Sequence, residues 1–190
     1  VELVAAHSAR EDNVWAVLGQ APLAGAVGHL AELAGRVVAA STATDLKTQV
    51  AWYGDEGHAI DDLALRALAS AKTAQDRAAV ATALSALYDP WVDESARAFQ
   101  KAAVTSYPGQ IGLDIDTGTA VVYVDALRFD LASRVTRRLS PLVVSVETRL
   151  AAFPSVTPTG QPAVAPIAIA VGGGTAFDAA DDQGRSLKGA

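Results

Sequence analysis

The chemistry of this chain starts at Asp125. Val121-Val122-Tyr123-Val124 is an apolar run that stops on that carboxylate, and Ala126-Leu127-Arg128-Phe129-Asp130 passes directly into a helical pattern. α/β enzymes present metal-binding carboxylates in this way, because ligands of open α/β sheets bind in the crevice outside the carboxyl ends of the strands. Thr119 to Val124 is rich in β-branched residues and apolar on both alternating faces. That pattern predicts a strand buried in the middle of a parallel sheet, with Asp125 at its carboxyl end. The plain alternative is that Asp125 caps the following helix through the amides of Leu127 or Arg128. Spacing alone does not separate the two.

A second group of polar residues lies in Phe153-Pro154-Ser155-Val156-Thr157-Pro158-Thr159-Gly160. Two strands of one crossover unit bring their carboxyl-end loops together, so a carboxylate and a hydroxyl can share one crevice. A hydroxyl is a poor nucleophile until something removes or masks its proton, and coordination to a divalent cation does so. Asp125 could hold that cation, with Thr157, Ser155 and Thr159 as the rival hydroxyls. Arg128, three residues past Asp125, is the cation best placed by sequence to bind a phosphate. Arg134, Arg137 and Arg138 read as a solvated helix face. His7, His29 and His58 are far apart in helical territory and read as surface or packing residues. Gly172-Gly173-Gly174 lacks the Lys-Ser/Thr of a phosphate-binding loop, and Trp15, Trp52 and Trp91 read as core or interhelical anchors.

The elements that would position these groups fall on two sides of a divide near Thr105 to Gly118. Before it, the sequence predicts helices only. Leu3 to Leu18 ends at Gly19, and Leu23, Val27, Leu30, Ala34 and Val37 share the face of a second helix. Asp61 or Asp62 is expected to cap a helix containing Leu63, Ala67, Leu68 and Ala71, with Tyr53 to His58 as the loop before it. Thr73-Ala74-Gln75-Asp76 has the order of a capping box opening a helix with Val80, Ala83, Leu84 and Leu87, which stops at Asp89-Pro90. A further helix from Val92 to Val104 packs Ala96, Phe99 and Ala103. After the divide, strand Thr119 to Val124, a helix carrying Leu127, Leu131, Val135 and Leu139, and a second strand from Leu142 to Val146 make one right-handed crossover. The expected fold class is therefore α/β, with a helical region over 1–107 and the start of a parallel sheet with flanking helices over 108–190. Two strands leave both edges exposed, so the sheet is expected to be completed by further sequence.

Composition narrows the function. The chain has 190 residues, 51% of them hydrophobic, which suits one full domain or two units sharing a core. A formal charge of −6 argues against a broad basic surface for duplex DNA or anionic lipid, but leaves room for a local cationic cleft. With Cys at 0, a metal must use Asp, Glu, His or hydroxyl oxygens, and the expected compartment is the cytoplasm. No apolar stretch approaches the roughly 20 residues that span a bilayer, so no membrane partner is expected. Met is also at 0 and the chain opens at Val1 in helical sequence, which reads as a fragment or a processed piece.

V-Y-V-D-A-L-R-F-D-L-A followed by F-P-S-V-T-P-T-G resembles the core of the PglZ domain, a branch of the alkaline phosphatase superfamily known from BREX phage-defence systems. W-V-D-E-S-A-R-A-F-Q-K-A, just before it, resembles the same family, and the likeness is good over Trp91 to Gly174. The resemblance implies an alkaline-phosphatase-like sheet, a metal ligand at Asp125, and Thr157 as a metal-bound nucleophile. Thr157 is preferred because related phosphodiesterases carry a Pro-Thr-x-Thr loop whose second hydroxyl reacts. The implied activity is hydrolysis of a phosphate ester, nucleotide or nucleic acid with a divalent metal, zinc by expectation, in concert with other defence proteins. The superfamily completes its site with later Asp and His residues, whereas after Thr157 this chain offers only Asp178, Asp181 and Asp182 and no His. A catalytically silent interaction module of a defence assembly is the alternative.

Overall fold

The structure is a computed structural model that describes residues 12–107, 116, 118–139, 142, 145–151, 155–157, 160, 163–164, 172–173, 179–181 and 183–186. Its helices are α1 (Val14–Val17), α2 (Pro22–Val38), α3 (Leu46–Trp52), α4 (His58–Ser70), α5 (Ala74–Leu87), α6 (Asp89–Ser106) and α7 (Phe129–Arg138). The chain divides into two compact units: Val1–Tyr107 with Phe129–Val135, and Pro108–Arg128 with Thr136–Ala190. Most of α7 therefore belongs with the helical unit.

Helix ends follow local chemistry. Pro22 occupies the first turn of α2, where its missing N–H costs nothing. Asp45 caps α3 by accepting from the Thr48 amide at 2.9 Å, and that bond holds its carboxyl below the usual range. The cap is thus fully effective above the ordinary carboxylate range and is lost as pH falls through the depressed value. Thr73 and Asp76 form the reciprocal capping box of α5, as the sequence predicts. Tyr88 breaks the chain between α5 and α6, and Pro90 sits in the first turn of α6 rather than ending a helix.

The core of the helical unit is Ala26, Leu30 and Leu33 of α2 against Ile60, Leu63, Ala64 and Ala67 of α4, closed by Val80, Leu84 and Trp91. The buried stripe of α2 is turned from the expected one. Leu30 and Ala34 are buried as anticipated, but Leu23 is 37% exposed, while Ala26 and Leu33 face inward. The reason is that α4 brings small residues, Ala64 and Ala67, which admit α2 closely along the Ala26 side. Trp52 meets Trp91 edge-on at 6.5 Å, whereas Trp15 is exposed.

Two expectations about this unit need correction. Tyr53 to His58 is not an interhelical loop: Tyr53–Gly57 forms a π-helical turn that runs without a break from α3 into α4. A Cβ on Gly57 would lie 2.6 Å from the Trp52 ring, so only glycine fits this wider turn. Asp61 and Asp62 are consequently not caps but buried residues inside α4.

The expected fold class is also overturned. The described part of the chain is mostly helical, and its β pairing is confined to the two-residue antiparallel contact of β1 (Gly172–Gly173) with β2 (Ala179–Ala180) and an isolated antiparallel bridge from Ala180 to Ser186. Thr119–Val124 is not in a strand, and Val121, Val122, Tyr123 and Val124 are exposed. Residues 145–150 are likewise outside any strand, and Val143 and Val144 lie outside the described residues. There is no α/β crossover and no parallel sheet among the described residues. β-branched composition gives a tendency to extend, but a strand exists only when neighbouring backbone accepts its hydrogen bonds. Leu127, Val135 and Leu139, expected on the inner face of α7, are exposed as well.

Leu33 is fully buried, so Leu33→Ala is expected to destabilise the protein by about 3 kcal/mol in urea denaturation. Leu23→Ala should cost less than about 1 kcal/mol.

Candidate functional site

Asp125 and Thr157 meet in the second unit. The Thr157 hydroxyl donates to the Asp125 carboxylate, at 3.1 Å from Oδ2 and 3.3 Å from Oδ1. Thirty-two positions separate the two residues, so chain folding, not local sequence, makes the contact. Two further donors reach Oδ1: the Ala126 amide at 2.9 Å and the Tyr123 hydroxyl at 3.2 Å. Asp125 does not act as the helix cap considered above, because α7 begins only at Phe129 and the carboxylate's local amide partner is Ala126. Ala126 has φ 54°, a left-handed conformation that costs an L-residue with a Cβ about 1–2 kcal/mol. Such strain collects at functional sites.

Thr157 is carried on a turn closed by the Gly160 amide donating to the Val156 carbonyl at 2.8 Å. A Cβ on Gly160 would lie 3.7 Å from the Tyr123 hydroxyl, so the phenol rests against this turn. Partial removal from water, and then the bond to Asp125, push the Tyr123 phenol above its usual range. Both Asp125 and Thr157 are exposed, so a ligand can reach them. Ser155 and Arg128 are exposed too, and Thr159 lies outside the described residues.

A carboxylate and a hydroxyl are both oxygen groups that a divalent cation can accept as ligands. Two protein oxygens are fewer than a zinc takes, and no cluster of three or more His, Asp or Glu suited to a metal occurs among the described residues. Asp181 closes a turn instead: it accepts from the Arg185 and Gln183 amides and pairs with the Arg185 guanidinium at 2.6 Å. The Arg185 amide, with burial opposing it, holds the Asp181 carboxyl below its usual range. Asp178 and Asp182 lie outside the described residues.

Comparison with family models, with curated proteins and with solved structures finds no match. The geometry of the site therefore carries the functional argument together with the motifs quoted above.

The helical unit holds a second polar cluster. Asp61 accepts from the Tyr53 hydroxyl at 2.5 Å and from the Tyr88 hydroxyl. Asp62 accepts from Arg66 at 2.8 Å and from Arg134 Nε at 2.9 Å. His58 bonds through Nε2 to the Ser133 hydroxyl at 3.0 Å and through Nδ1 to the Tyr53 carbonyl at 3.2 Å, with the Phe129 ring edge-on against it. This cluster docks the first two turns of α7. His58 is a packing residue, in line with the sequence, whereas Arg134 is no solvated-face residue but an ion-pair partner of Asp62.

Sequence reasoning passed over Tyr123 and the Asp61–Tyr53–Tyr88 group. Nothing in the sequence pairs Tyr88 with Asp61, 27 positions away.

Asp62→Ala leaves Arg134, only 32% exposed in its side chain, without its partner. It should cost about 2 kcal/mol in chemical denaturation, whereas Arg97→Ala, which breaks an exposed pair with Asp93, should give no measurable change.

Proposed function

We propose that this chain is part of a metal-dependent phosphohydrolase in which Thr157 is the nucleophile and Asp125 its carboxylate partner and metal ligand. The observation that carries the reading is the hydrogen bond from the Thr157 hydroxyl to Asp125 across 32 positions. The PglZ-like motifs around both residues support the same roles.

Phosphoryl transfer asks for a hydroxyl relieved of its proton and for positive charge near the phosphoryl oxygens. In this reading Asp125 Oδ2, 3.1 Å from Thr157 Oγ1, accepts the hydroxyl proton as the oxygen attacks phosphorus. The new bond is Thr157 Oγ1–P, and the ester oxygen leaves with the electrons of the broken P–O bond, taking a proton from water. Water then attacks the phosphothreonine at phosphorus, the P–Oγ1 bond breaks, and Asp125 returns its proton to Thr157 Oγ1. A divalent cation at Asp125 and Thr157 would lower the hydroxyl's pKa and neutralise phosphoryl charge. Arg128, exposed and three residues beyond Asp125, is the side chain proposed to bind phosphate. The substrate class is a phosphate ester or diester, with nucleotides or nucleic acid first among candidates, and the setting is a cytoplasmic defence system with partner proteins. Among the described residues, no helix is long and apolar enough to cross a membrane.

In the complete protein, Thr157→Ala should abolish hydrolysis of bis(p-nitrophenyl) phosphate, a loss of at least about 10³-fold, with an unchanged circular dichroism spectrum. Undiminished turnover would overturn Thr157 as the nucleophile. Asp125→Asn should lower the bound divalent metal measured by elemental analysis; unchanged stoichiometry would remove Asp125 from the ligand set.

A further inference from the structure

We infer that Tyr123 is a positioning residue for the Asp125–Thr157 pair, an inference that rests on the reading of Thr157 as nucleophile. Tyr123 and Asp125 stand two apart, at the point where the chain enters a turn at Asp125 and Ala126. The phenol donates to Asp125 Oδ1 at 3.2 Å, beside the Ala126 amide at 2.9 Å. Oδ1 thus carries two donors from its own strand of chain. Oδ2 is left as the nearer acceptor for the Thr157 hydroxyl, at 3.1 Å.

A carboxylate tied at one oxygen loses rotation about its Cβ–Cγ bond. The other oxygen then points where the attacking hydroxyl needs it before substrate arrives, which is the preorganisation that proton transfer requires. The same phenol abuts Gly160, on the turn that carries Thr157; its oxygen would be 3.7 Å from a Cβ there. Tyr123 therefore touches both chain segments of the site.

The experiment is the Tyr123→Phe variant of the full-length protein, assayed on bis(p-nitrophenyl) phosphate. kcat should fall about tenfold and KM should stay as it is. A kcat equal to wild type would overturn the inference. A second measurement needs no turnover: a crystal structure of Tyr123→Phe should show the Asp125 carboxylate turned out of its contact with the Thr157 hydroxyl, and an unmoved contact would count against Tyr123 as the positioning group. A full-length wild-type protein that hydrolyses no phosphate ester would sink the phosphohydrolase reading, while the crystal structure still decides whether Tyr123 holds Asp125.

Discussion

A carboxylate taken out of water must be given donors, and that constraint organises the helical unit of this protein. In α4 two neighbouring aspartates, Asp61 and Asp62, are buried at 8% and 7% exposure. Each is answered from elsewhere in the chain: Asp61 by the phenols of Tyr53 and Tyr88, Asp62 by the guanidinium groups of Arg66 and Arg134. Apolar burial between α2 and α4 supplies most of the stabilisation of the helical unit, but it is indifferent to register at the level of a single side chain. The paired aspartates are not, since a shift of one residue would strand a charge. They fix how the π-helical turn, α5 and α7 meet α4.

Asp125 is under no such constraint. This carboxylate is exposed, so water could satisfy it, yet it collects an amide, a phenol and the Thr157 hydroxyl. Ala126 beside it is held at φ 54°, in the left-handed region.

The sequence was legible where the physics is local. The capping box at Thr73 and Asp76 spans four residues and forms as read, and the apolar spacing of α4 and α5 predicts Leu63, Ala67, Val80 and Leu84 inside. Asp125 could be singled out as a carboxylate ending an apolar run, whereas Thr157 was chosen over Ser155 and Thr159 only through the PglZ-like resemblance of its loop. The parallel sheet was not legible. Thr119–Val124 has the composition of a buried strand, but composition cannot supply the neighbouring backbone that a ladder requires, and these residues lie exposed outside any strand. The same holds for the face of α7, where periodicity marked Leu127, Val135 and Leu139 as inner residues. The contacts instead fall to Phe129, Ser133 and Arg134, because His58 and Asp62 needed partners more than the leucines needed cover.

By itself, the sequence determined the capping box of α5 and the apolar stripes of α4 and α5, and it offered Asp125 and Thr157 as candidates. Those properties depend on residues within a turn or two of each other, where spacing fixes geometry. Only the tertiary structure decided that Tyr53 and Tyr88 converge on Asp61, that Arg134 leaves the solvated face to pair with Asp62, and that Thr157 donates to an Asp125 already held by Tyr123. Each joins groups separated by 8 to 72 positions or selects among equivalent donors. Such choices follow from the cost of leaving a charge or hydroxyl unpaired, which no local pattern encodes.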